Sequence, residues 1–168
     1  MQSVTDARDD GSAMNSDAII DAIGGFTSSA PNLKLLLRAT VELLHQQRPY
    51  YHWVGIYFLE GEALILGPYV GKPSPHTRIP LQQGICGAAA STGETLIVDD
   101  VNADPRYLAC SLETRSEIVV PIRYQGRVLG EIDIDSDELA AFAQEDRQLL
   151  EAIASLLAEK IGAESTVP

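Results

Sequence analysis

The chain has 168 residues, 45% of them hydrophobic, and a formal net charge of −12. That length suits one domain with a sizeable core, and the composition is that of a soluble globular protein. The charge argues against a nucleic-acid partner, whose phosphates demand Lys and Arg patches, and against an anionic membrane surface.

No segment is long and apolar enough to span a bilayer, and the N-terminus lacks the basic start and apolar run of a secretory signal. A cytoplasmic location is expected, where structural disulfides are rare and reactive ones are transient.

In chain order, residues 1–14 are polar, small and acidic, and read as a disordered tail. Asn15 or Ser16 caps a short helix carrying Ile19, Ile20 and Ile23, which Gly24-Gly25 is expected to stop. Pro31 sits where a first helical turn tolerates it. The helix that follows carries Leu33, Leu36, Leu37, Val41 and Leu44 at helical spacing and ends before Pro49. A hairpin comes next: His52 to Leu59, a turn at Glu60-Gly61-Glu62, and a return from Ala63 to Leu66. Pro68 to Pro80 reads as a loop, either a lid or a plain connection. A short helix around Cys86 stops at Ser91-Thr92-Gly93, and Thr95 to Val98 is a strand. Asp99 to Cys110 is mostly loop. Glu117 to Tyr124 and Arg127 to Asp135 are strands joined by a turn at Gln125-Gly126. An amphipathic helix with Leu149, Leu150, Ile153, Leu156, Leu157 and Ile161 closes the chain. This order predicts an α+β domain, an antiparallel sheet with helices packed on one face and a loop-covered pocket on the other.

Cys86 and Cys110 are the two thiols of the chain. Cys86, in Gly84-Ile85-Cys86-Gly87, falls on the first turn of a helix, whose dipole and free N–H groups stabilise a thiolate. Cys110 ends an irregular stretch just before a strand. Such a pair is a candidate for thiol–disulfide chemistry, although a free cysteine is also at home as a small buried apolar residue.

Strand alternation puts Val128, Gly130, Ile132 and Ile134 on one face of the last strand, and Leu129, Glu131, Asp133 and Asp135 on the other. An acidic row is by default a solvated face. The alternative is a pocket over the sheet, where acids hold an ammonium group or, protonated, donate to a developing oxyanion. Glu117, on the neighbouring strand, can share that side. Trp53 and Tyr57 are four apart and share a face, as core or as pocket wall. His45, His52 and His76 make no metal set, and the sequence carries no GxSxG, P-loop or GxGxxG. Neither a metal nor a cofactor is expected.

Several runs together resemble the GAF-fold free methionine-(R)-sulfoxide reductases. They are Trp53-Val54-Gly55-Ile56-Tyr57, Leu66-Gly67-Pro68-Tyr69, Gly71-Lys72, Arg78-Ile79-Pro80, Gly84-Ile85-Cys86-Gly87, Ala109-Cys110, Ser116 to Pro121, and Asp133-Ile134-Asp135. The resemblance runs from about Leu33 to Ile161 and makes residues 15–163 a single GAF domain. It implies that Cys110 is the nucleophile that attacks the sulfoxide sulfur, and that Cys86 can form a disulfide with it. It implies that Glu117, Asp133 and Asp135 contact the substrate and assist oxygen departure, and that Trp53 and Tyr57 surround its methyl group. It further implies a cytoplasmic homodimer recycled by thioredoxin. Many members carry another cysteine before Arg-Ile-Pro. Here that loop is Pro73-Ser74-Pro75-His76-Thr77, so Cys86 resolves alone or an external thiol does. Two rival readings are a ligand-binding GAF sensor with incidental thiols, and a redox sensor signalling through a Cys86–Cys110 bond.

Overall fold

The computed structural model describes residues 13–109 and 111–165. Asparagines start the first two helices. The Asn15 side chain accepts from Ala18 N–H at the head of α1 (Ser16–Ser29), and Asn32 accepts from Leu35 N–H at the head of α2 (Leu33–Gln47). Pro31 therefore precedes the cap and is not in the first turn. Gly24-Gly25 does not stop α1, because Ile19 and Ile23 are buried and Phe26, beyond the glycines, packs on the same core. Tertiary packing overrides the weak helix propensity of glycine here. Residues 1–12 of the expected tail lie outside the described residues. Met14 is fastened: its N–H donates to Gln47 Oε1 at 2.8 Å, and its carbonyl accepts from Arg48 at 2.9 Å.

Among the described residues the strands are β1 (Trp53–Glu60), β2 (Ala63–Val70), β3 (Arg78–Pro80), β4 (Leu96–Val98), β5 (Ser116–Tyr124) and β6 (Arg127–Ser136). They form one antiparallel sheet in the order β3-β2-β1-β6-β5-β4. β2 runs four residues further than alternation predicts, through Pro68. It can do so because the β1–β2 ladder breaks register between Gly55 and Tyr57, and a proline at such an irregularity forfeits no ladder hydrogen bond. β3 was hidden in the proline-rich loop. Gln125 and Gly126, at φ 50° and 78°, make the tight left-handed turn that joins β5 to β6.

α1, α2 and α4 (Gln144–Ser165) cover one face of the sheet. Their apolar stripes meet Val54, Ile56, Ile118, Val120, Ile122, Ile132 and Ile134 in the larger core. Asp146 pins the start of α4: its Oδ2 accepts from Ala143 N–H at 2.8 Å, and its Oδ1 accepts from the Tyr50 and Tyr51 hydroxyls at 2.6 and 2.7 Å. One carboxylate thus caps the helix and fixes the entry to β1.

α3 (Gly84–Thr92) packs on the opposite face, the one the β2–β3 and β4–β5 loops cover. Its buried Ile85, Cys86, Ala89 and Ala90 join Trp53, Tyr57, Leu64, Ile79 and Val119 in a second core. Alternation along β6 also fails at one end. A register shift opposite Ile122 and Arg123 leaves Leu129 without a partner, so Val128 packs with the second core and Leu129 with the first. This is the face reversal an extra residue in one strand imposes.

Candidate active site

β6 lies between β1 and β5, and its register builds the site in rungs. Asp135 is opposite Trp53 on one side and Glu117 on the other. Asp133 is opposite Gly55 and Val119, and Glu131 is opposite Tyr57 and Pro121. With a side-chain period of two, these rungs present their side chains on the α3 face. Glu117, Glu131, Asp133 and Asp135 are 5%, 0%, 2% and 4% exposed. The acidic row is therefore interior, not a solvated face. Gly55 matters because the Trp53 indole lies over it: a Cβ there would stand 2.2 Å from the ring. The indole stacks on Tyr69 with ring centres 5.7 Å apart and stands 6.4 Å from the Tyr57 ring.

α3 brings Cys86 down onto the acids, and its Sγ donates to Glu117 Oε1 at 3.8 Å. Cys86 is in the first turn, as the sequence suggests, but the expected thiolate is not favoured there. Burial pushes the thiol well above its ordinary value, and Asp133, Glu131 and Glu117 push it further. Desolvation next to carboxylates outweighs the helix dipole. Cys86 is a protonated thiol at rest.

Burial also drives the four acids up. Glu117 rises well above the usual range, reinforced by Asp133 and Asp135, and so do Glu131 and Asp135, each reinforced by Asp133. Asp133 rises only to about 6, because hydrogen bonds from Glu117 and Cys86 favour its carboxylate. Asp133 is thus raised least of the four, and its neighbours hold their protons further above the ordinary carboxylate range. Both Glu131 oxygens and Asp133 Oδ1 are buried with no hydrogen bond of good geometry among the described residues. None of the four acids has a Lys or Arg ion-pair partner among those residues.

The sign of the pH effect on stability follows. The native pKa values lie above the unfolded ones, so the folded chain binds more protons than the unfolded chain at any pH between them. The stabilisation is full below pH ~4 and is lost as pH rises through about 6 for Asp133, and higher for the others. The melting temperature of the unliganded protein should fall by about 5 °C or more between about pH 5 and about pH 8, at ~2–4 °C per kcal/mol. Asp133→Asn should flatten that slope. A melting temperature that climbs over the same range would contradict the buried protonated row.

Two loops roof the row. The β2–β3 loop is tied to the sheet by Trp53 Nε1 donating to Lys72 O at 3.0 Å and by the Tyr57 hydroxyl donating to His76 O at 2.8 Å. It meets the β4–β5 loop through His76 Nε2 and Ala109 O at 2.9 Å, and through the exposed Lys72–Glu113 ion pair at 2.9 Å. His76 is half-buried and joins the two loops. Beneath them is a cleft of about 160 Å³ lined by His52, Trp53, Lys72, Ser74, Ser111, Thr114 and Asp135 among others. It is small beside the ~300–1,000 Å³ of drug-sized sites and suits one small molecule.

Of the sequence-predicted site residues, Cys86, Glu117, Asp133, Asp135, Trp53 and Tyr57 converge on this face. Cys110 lies outside the described residues; Ser111, next to it in the chain, lines the cleft. Glu131, Lys72, Ser111 and Thr114 were not singled out. Alternation already put Glu131 in the row, but the loop residues carry no periodic signal. Gly84 to Gly87, at the head of α3, do not line the cleft; Gly84 borders a separate depression with Gln83, Arg106 and Leu108. Among the described residues, Cys86, Glu117 and Asp133 bring one ligand atom each to within 4.8 Å of the others and could hold a cation.

Residues 32–161 match the family model described as GAF domain. The free methionine-R-sulfoxide reductase of Saccharomyces cerevisiae is 46% identical over 110 residues, which are 63% of this chain and 61% of that protein. The solved structure of free methionine-R-sulfoxide reductase from Neisseria meningitidis, in complex with its substrate, superposes with a TM-score of 0.86 at 32% identity. That match covers 99% of this chain and 100% of the other. The type II free methionine-R-sulfoxide reductase of Thermoplasma acidophilum gives a TM-score of 0.76 at 40% identity, covering 84% of this chain and 96% of the other. On these matches, over most of its length, this chain belongs to the GAF-domain family of free methionine-R-sulfoxide reductases.

Proposed function

We propose that this chain reduces free methionine-(R)-sulfoxide to methionine, with Cys110 as nucleophile, Cys86 as resolving thiol, and thioredoxin as reductant of a cytoplasmic homodimer. The observation that carries this reading is the row of four interior carboxyls against the Cys86 thiol, under a roof formed by two joined loops. A sulfoxide oxygen leaves only when protonated. Carboxyls that keep their protons near neutral pH supply that proton beside the reacting sulfur.

The Cys110 sulfur attacks the sulfoxide sulfur while Asp135 or Glu117 protonates the oxygen. The substrate S–O bond breaks and its oxygen passes to Cys110 as a sulfenic acid, methionine departs, and the Cys110 thiol proton restores the carboxyl. The Cys86 thiol then condenses with it: an S–S bond forms, and the sulfenic oxygen leaves as water with the Cys86 proton. A dithiol reductant opens the disulfide and returns both thiols. The raised thiol pKa means that Cys86 stays protonated and inert until the sulfenic acid appears. The substrate ammonium pairs with Asp133, the acid raised least, and the aromatic wall of Trp53 and Tyr57 takes the S-methyl group. Lys72 and the hydroxyls of Ser74, Ser111 and Thr114 suit the substrate carboxylate.

The stoichiometry without reductant tests the thiol pair. Reduced enzyme should release about one methionine per chain and lose both free thiols. Cys86→Ser should still release that first methionine yet slow turnover with thioredoxin at least tenfold, an estimate of roughly 1.4 kcal/mol in barrier. Unchanged thioredoxin-coupled turnover in that variant would make Cys86 structural and leave resolution to an external thiol.

A further inference from the structure

We propose that the reduced pocket is also a binding site for one thiophilic divalent cation of the zinc class, held by Cys86 Sγ, Glu117 and Asp133, with Glu131 available as a fourth ligand. The three ligand atoms come from α3, β5 and β6 and lie within 4.8 Å of one another. The one contact that is already close, Cys86 Sγ to Glu117 Oε1, is 3.8 Å. Ligands on a tetrahedral zinc with bonds of ~2.0–2.3 Å stand roughly 3.3–3.8 Å apart, so a closure of about 1 Å completes the set.

A second observation is independent of the cluster. Both oxygens of Glu131, which is 0% exposed, and Oδ1 of Asp133 have no hydrogen bond of good geometry among the described residues; only the Cys86 thiol bears on Glu131 as a donor. Buried polar atoms in native folds are satisfied by a partner, and no Lys or Arg ion pair serves these acids among the described residues. The acids are thus built to receive a positive group. An ammonium group uses the oxygens alone, whereas a metal ion also uses the sulfur. Thiolate with carboxylate selects a borderline-soft ion such as Zn²⁺ over Mg²⁺ or Ca²⁺, which take oxygen shells.

Binding replaces the thiol proton with the metal, as Cys86–SH + Zn²⁺ gives Cys86–S–Zn⁺ + H⁺, and the proton goes to solvent. Oxidation of Cys86 to a disulfide removes the ligand and releases the ion. The site therefore fills only in the reduced protein, and it blocks the place assigned above to the substrate ammonium.

The test uses the full-length chain reduced with a phosphine in metal-free buffer. Co²⁺ serves as the spectroscopic probe and Zn²⁺ as the calorimetric one. One equivalent should bind, with a sulfur-to-cobalt charge-transfer band. The band should vanish in Cys86→Ser, and affinity should fall at least about tenfold in Asp133→Asn and in Glu131→Gln. Circular dichroism should report each variant folded. Absence of the band, or Zn²⁺ uptake that persists in Cys86→Ser, overturns the proposal. Zn²⁺ should also act as a competitive inhibitor of sulfoxide reduction, reversed by a chelator. The binding arm stands without any turnover, so a failed reductase reading and a failed metal site give different results.

Discussion

Cys110→Ser is expected to lower kcat/KM for free methionine-(R)-sulfoxide by at least about a thousandfold, because the reaction needs a nucleophile that can also carry the transferred oxygen. A serine hydroxyl is a weak nucleophile at neutral pH and has no sulfenic state, so neither the first bond nor the intermediate is available. Binding should survive. The acid row, the aromatic wall and the loop contacts belong to other residues, and the melting temperature should remain within a few degrees of the parent. A variant retaining near-parental turnover would remove Cys110 from the chemistry and leave Cys86 as the only thiol to explain it. That outcome is hard to reconcile with the environment of Cys86, where burial and three carboxyls hold the proton on sulfur.

Asp135→Asn carries the second large effect. Asp135 is cross-strand to Trp53 and Glu117, lines the cleft, and is 4% exposed. Burial, with Asp133 and Asp137 nearby, keeps its proton on well above the usual carboxylate range. Asparagine has nearly the same shape and keeps the contacts, but it cannot release a proton to the departing oxygen. We expect kcat to fall about a hundredfold, the lower range of general-acid contributions, with KM changed by less than about threefold. A raised KM with kcat intact would make Asp135 a binding residue and pass the proton-donor role to Glu117. The pH profile separates the cases further. The alkaline limb of kcat reports loss of the donor proton, and it should disappear in the variant.

Much of this site is legible in the sequence. The period-two pattern of β6 put Glu131, Asp133 and Asp135 on one side, and the four-residue spacing put Trp53 and Tyr57 together; both relations hold in the sheet. What alternation could not settle was whether that side is wet. Burial of the row depends on α3 and two loops crossing over it, and those contacts are remote in sequence. His76 meets Ala109 across 33 positions, and Cys86 meets Glu117 across 31. The same limit explains the error at Cys86. The helix start was read from local residues, but the thiol's proton affinity is set by carboxyls on two strands that the local sequence does not contain. Val128 and Leu129 show the other failure. A single extra residue reverses the faces, and strand composition gives no sign of it. Gly24-Gly25 shows a third: propensity alone predicts a stop there, but the packing of Phe26 on the core decides the outcome.

Thioredoxin-coupled turnover of free methionine-(R)-sulfoxide, run beside the (S) epimer, tests the central claim most directly. The account predicts sustained methionine formation from the (R) epimer and no more than background from the (S) epimer, because one handed cleft must present the oxygen to Asp135 and the methyl group to Trp53 together. Equal rates on both epimers, or tight binding of the (R) epimer with no methionine formed, would contradict it and leave a sensor in place of a reductase.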